Sequence, residues 1–217
     1  STGHDTWLQK YERMVSTKRY YEVAKDVIRD AADIFGGPKY FHFGYDEETA
    51  RHQSTYNFSV VRQGELWWHD FGFFVETVGA TGARPWMWSD KIWHSKDEFL
   101  KRVPKSVLQS NWYYGHIFDP EKVPADHRER VRPYIEAFKW LEEAGYDQVP
   151  TGMPQPKDET DGWKHGFAEH CAKTISPGHF KGLLNSVWCF TQPHKREFIY
   201  RAIDEVADAK AVAEPAG

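Results

Sequence analysis

Apolar residues recur at helical spacing between Tyr20 and Phe35, with Tyr21, Ala24, Val27, Ile28, Ala31 and Phe35 on one side. The pattern predicts an amphipathic helix, capped by Ser16 or Thr17 and ended at Gly36. After the Gly36-Gly37-Pro38 stop, Lys39 to Phe43 predicts a short strand. The alternation of helix and strand then continues to the end of the chain. A helix over about Val60 to Val78, softened at Gly72, precedes a strand over Arg84 to Trp88. A short helix around Lys96 to Arg102 precedes the strand Ser106 to Asn111, whose apolar-rich sequence is of the buried kind. Beyond a loop marked by Pro120 and Pro124 come a helix over about Glu129 to Ala144 and a strand from Tyr146 to Val149. A helix from Thr160 to Thr174, a strand from Gly182 to Trp188 and a helix from Pro193 to Val212 complete the series.

Strands separated by helices predict an α/β fold with a parallel sheet and right-handed crossovers. Two architectures fit: a doubly wound sheet, or part of a (β/α)₈ barrel. No glycine-rich phosphate loop follows the first strand, which argues against nucleotide binding. With no repeat, low-complexity block or linker, residues 1–217 read as one domain.

Each strand carries polar or aromatic residues at its carboxyl end, where parallel α/β folds gather their sites. The first runs from Phe41-His42-Phe43-Gly44-Tyr45 into Asp46-Glu47-Glu48. Acids packed against a buried strand end are expected to divide, one protonated and its neighbour ionised, as acid-catalysed cleavage requires. The second strand ends in Trp88-Ser89-Asp90, the third in Asn111-Trp112-Tyr113-Tyr114, the fourth in Pro150-Thr151-Gly152 and the fifth in Trp188-Cys189-Phe190-Thr191.

Composition sharpens this picture. Ten Trp, eleven Tyr and fourteen Phe are many for a domain of this size; most are expected to fill the core, whereas a cluster at strand ends would stack on flat apolar ligand faces. Acids ringed by tryptophans suit a sugar site. A net charge of -4 advertises no nucleic-acid surface, and no run of about 18 apolar residues predicts a membrane span. Cys171 and Cys189 have no metal spacing and form no disulfide framework.

The segment His42-Phe43-Gly44-Tyr45-Asp46-Glu47 resembles the His-x-Gly-Gly-Asp-Glu signature of glycoside hydrolase family 20, the β-N-acetylhexosaminidases. Thr2-Gly3-His4 resembles the Pro-Gly-His that ends the third barrel strand of that family, and Trp88, Trp112 and Trp188 resemble its pocket-wall tryptophans. The resemblance implies a partial (β/α)₈ barrel of about five strands, the fourth to the eighth. It implies Glu47 as general acid and base and Asp46 as the residue that orients the substrate's acetamido group. His4, His42, Trp88, Asp90, Trp112, Tyr113 and Trp188 would bind substrate, and neither cofactor nor metal is implied. The partners implied are a carbohydrate substrate and the missing barrel strands, from the same protein or a homo-oligomer. A secreted or periplasmic location also follows from the resemblance.

The sequence departs from the family in three places. Tyr45 replaces the second glycine and is expected to crowd the backbone next to the acids. The fourth strand lacks the Tyr-x-Asp that holds the acetamide, and Trp188-Cys189-Phe190 replaces Trp-x-Glu. Tyr113, Tyr114, Asn111 and Asp90 are candidates to take over those contacts. Two further readings follow: a catalytically weak carbohydrate-binding barrel, and a metal hydrolase built on His4, His42, Asp46 and Asp90.

Overall fold

The structure is a computed structural model that describes residues 15–47, 62–153, 166–189 and 191–213. It is α/β, with short parallel strands between helices, and falls into two compact units, Ser1–Met87 and Trp88–Gly217.

In the first unit, α1 (Lys18–Ile34) begins where the Thr17 hydroxyl accepts the Tyr20 N–H, satisfying one of the free donors of the first turn. Its C-terminal end closes at Gly36 and Gly37, both at left-handed φ, a conformation glycine adopts without steric penalty. Strand β1 (Tyr40–His42) pairs in parallel with β2 (Arg84–Trp88) in the register Tyr40 to Arg84, Phe41 to Pro85 and His42 to Trp86. Between them, α2 (Glu65–Gly79) buries Trp67, Trp68, Phe71, Phe74 and Val78. Gly72 lies within this unbroken helix, which starts at Glu65 and not near Val60. Phe43 stacks on Phe74 at 5.7 Å, so an aromatic layer underlies the turn that leaves β1.

The second unit continues the alternation. A 3₁₀ turn (Asp90–Trp93) and α3 (Lys96–Arg102) lead to β3 (Leu108–Ser110). Helix α4 (Ala125–Glu143) starts four residues earlier than its periodicity predicts and carries Pro133 in its interior. The next extended segment runs further than Val149. Gln109, Val149, Thr151 and Tyr113 exchange backbone bonds in a ladder from Asp147 to Thr151, and β4 is Thr151–Gly152. β4 pairs in parallel with β5 (Leu184–Asn185). The described part of the following helix, α5, is Glu169–Thr174, and α6 is Arg196–Ala213. Phe138, Phe167, Ala168, Cys171 and Ala209 share one core, and burial pushes the Cys171 thiol up. No helix among the described residues is long and apolar enough to cross a membrane.

Candidate functional site

The acid turn grows directly from β1. The Phe43 N–H completes the ladder on the Trp86 carbonyl, and Gly44, Tyr45 and Glu47 then all take left-handed backbone, at φ 77°, 76° and 52°. A residue with a Cβ pays about 1–2 kcal/mol for that conformation, so Tyr45 and Glu47 hold it against a local preference. His42 supports the turn from below. Its Nδ1 accepts the Gly44 N–H at 3.1 Å, and its ring meets Trp86 edge-on at 4.8 Å. Burial lowers its pKa to about 4, so the imidazole is neutral at pH 7 and its Nε2 carries the hydrogen.

Tyr45 does not crowd the backbone next to the acids. Its left-handed φ turns the ring inward, where it is buried against Trp67, Phe71 and Phe74, and its hydroxyl donates to the Trp67 carbonyl at 2.7 Å. The backbone shape that glycine would give is kept, and the side chain is spent on the core. Asp46 and Glu47 are both exposed. The burial expected from their place after a strand end is not what the structure has: the turn leaves both residues at the surface. Glu48 and His4 lie outside the described residues.

In the second unit, an aromatic cluster forms where β3 ends. The Trp93 and Trp112 rings meet edge to face at 4.5 Å, Tyr134 from α4 lies 3.9 Å from Trp93, and Tyr114 stacks on Trp112 at 5.1 Å. Asn111, fully buried, fixes this group. Its Oδ1 accepts the Trp93 indole N–H at 2.8 Å and its Nδ2 donates to the Tyr134 carbonyl at 2.9 Å. All four rings stay half-buried, so each keeps an edge or face toward solvent. Trp93 and Tyr134 went unnoticed in the sequence, since they lie 41 positions apart and neither sits at a strand end; only the 3₁₀ turn and α4 bring them together.

The remaining expected residues divide. Trp88 and Asp90 sit half-buried at the end of β2, with one Asp90 carboxylate oxygen buried. Tyr113 is a core residue and not a rim residue. Its hydroxyl donates to the Ile117 carbonyl, and its ring folds over Gly115 so closely that a Cβ there would lie 2.3 Å from the phenol oxygen. Burial raises its pKa. Asn111 spends its amide on Trp93 and Tyr134, so it does not replace a lost sugar contact. Trp188 is 71% exposed, a solvent-facing ring and not a packed wall of its unit. Among the described residues no three His, Cys, Asp or Glu side chains converge as a metal site would require. Compared with known proteins, the chain matches no family model and no curated protein.

Proposed function

We propose that this chain carries the acid pair of a retaining, substrate-assisted glycoside hydrolase acting on β-linked N-acetylhexosamine, within a (β/α)₈-type barrel. The observation that carries the reading is the turn after β1, which leaves Asp46 and Glu47, neighbours in the chain, exposed on backbone that takes left-handed φ at Tyr45 and Glu47. In the second unit, taken by itself, the ring cluster at the end of β3 offers pre-set aromatic faces of the kind that match the apolar faces of a pyranose. In this reading Glu47 gives a proton to the glycosidic oxygen as the bond to the anomeric carbon breaks. The acetamido carbonyl oxygen forms the new bond to that carbon, and Asp46 orients the amide N–H and balances the positive charge of the ring so made. Glu47 then takes a proton from the water that opens this intermediate. Such chemistry uses one enzyme acid and one orienting carboxylate, an exception to the two-carboxylate scheme.

A second reading keeps the rings and loses the chemistry. Thr151-Gly152, at the end of β4, offers no acid or phenol to hold an acetamide, which favours a carbohydrate-binding barrel with weak or no catalysis. Release of the aryl group from an aryl N-acetyl-β-glucosaminide separates the two. Turnover that disappears in Glu47→Gln supports the hydrolase. Saccharide binding without turnover supports the binding module, and turnover that survives Glu47→Gln removes Glu47 as the acid.

A further inference from the structure

The acid turn is strained, and the buried ring of Tyr45 anchors it alongside the His42 Nδ1 that accepts the Gly44 N–H. That ring is in turn covered by a guanidinium. The Arg62 guanidinium lies over it at 5.0 Å and over Tyr20 at 5.6 Å, and donates to the Tyr20 hydroxyl at 3.0 Å. Arg62 is itself buried, its side chain 2% exposed, and its Nε pairs with Asp70 at 2.6 Å. Asp70, on α2, is fully buried and accepts two further bonds, from the Tyr21 hydroxyl of α1 and from the Ser16 hydroxyl. Burial, with the Asp70 bond adding to it, raises the Tyr21 pKa to about 12, so the phenol remains a donor. A planar guanidinium can do two things at once here, pair with a carboxylate along its edge and stack on a ring by its face.

We propose that Arg62 and Asp70 are positioning residues for the acid pair. Asp70 orients Arg62, Arg62 clamps the Tyr45 ring, and Tyr45 holds the left-handed backbone from which Asp46 and Glu47 project. The role of the clamp in catalysis rests on the reading of those two acids as the reactive pair; its role in fixing the turn does not. A fully buried ion pair costs desolvation that an apolar pair of the same volume would avoid, so its presence beneath the turn fits a device for geometry better than one for stability.

Arg62→Lys tests this. An ammonium keeps the charge opposite Asp70 and loses the flat face that grips Tyr45. Two readouts apply to the same variant. The first is hydrogen exchange of the backbone amides from Phe43 to Glu47, which needs no activity. The proposal expects exchange there to rise about tenfold while α1 and the core of α2 stay protected. The second, with the wild type turning over an aryl N-acetyl-β-glucosaminide, is a kcat lower by about 10²-fold with KM nearly unchanged, the signature of misplaced reacting groups. Where Arg62→Lys fails to fold, Arg62→Met with Asp70→Asn removes both charges, leaves an acceptor for Tyr21 and is held to the same expectation. Unchanged exchange from Phe43 to Glu47 in a folded variant overturns the proposal. Faster exchange in a protein whose wild type hydrolyses nothing upholds the clamp and overturns only the hydrolase reading.

Discussion

After β1 the chain leaves its ladder on left-handed backbone, with Tyr45 at φ 76° and Glu47 at φ 52°, and lifts two acids into solvent. After β3 it stays extended, Trp112 bridging to Thr151, and keeps its rings half-buried. The two strand ends also differ in what holds them. A charged network, Asp70 with Arg62, Tyr21 and Ser16, underlies the first; a single neutral amide, Asn111, underlies the second. The difference teaches where specificity of shape is expensive. A strained turn needs a rigid anchor on a ring, whereas a ring cluster on relaxed backbone needs only one bifunctional amide to fix its angle.

The largest effect that sharpens the comparison lies in the acid turn. Glu47→Gln is expected to lower hydrolysis of an aryl N-acetyl-β-glucosaminide by about 10²–10⁴-fold, since it removes the proton donor and keeps the shape. Trp112→Ala is expected to leave the chemical step intact and to weaken saccharide binding by several-fold, the stacking part being worth about 0.5–1.5 kcal/mol. Initial rates and titration calorimetry on the pair separate chemistry from binding; equal losses of kcat in both would break the division.

Stability should divide the same way. Asp70→Ala leaves the Arg62 charge buried without its partner and should cost about 3–5 kcal/mol in urea unfolding. Asn111→Ala should cost about 1–3 kcal/mol, because two neutral bonds are lost and one indole N–H is left to find water. Equal costs would mean that the two anchors are alike.

A smaller effect is shared by the two units. His42 and His170 are each held neutral by burial, with pKa values lowered to about 4; at His170 the charge of Lys173 adds to the effect. Unfolded, each imidazole takes up its proton near pH 6.5, so between about pH 6.5 and 4 the unfolded chain binds more protons. Both groups therefore withdraw stability as the pH falls through that window, and the loss levels off below it. His170→Phe, which keeps the stacking on Phe118, should show a flatter slope of urea midpoint against pH than the wild type. An unchanged slope would contradict the buried neutral imidazole.

Much of the fold was legible from periodicity alone. Arg84–Trp88 and Lys96–Arg102 are a strand and a helix at the residues where the pattern puts them; Gly82 opens the way into the strand and Pro104 stops the chain after the helix. The ends that moved did so for reasons of pairing or cover. The fourth strand continues past Pro150, whose carbonyl accepts the Leu184 N–H, and α4 begins ahead of Glu129 since Pro124 already starts it. Of the candidate residues, Asp46, Glu47 and Trp112 stand just after strands, where the sequence puts them. The part of Tyr45 could not be read, because only its φ shows that it does a glycine's work with a phenol ring. Arg62 and Asp70 were hidden for another reason: eight residues apart, they read as ordinary surface charges, and burial alone sets them apart. Tyr113 was misplaced because strand alternation ends at Trp112 and Gly115 lets the ring fold back.

In the proposed function Asp46 and Glu47 act on an acetamido sugar with the substrate's own carbonyl as nucleophile. Its most direct test is calorimetric binding of a thiazoline mimic of N-acetylglucosamine's cyclised intermediate to the protein and to its Asp46→Ala variant. The account predicts tight binding that Asp46→Ala abolishes; equal affinity in the two proteins would contradict it.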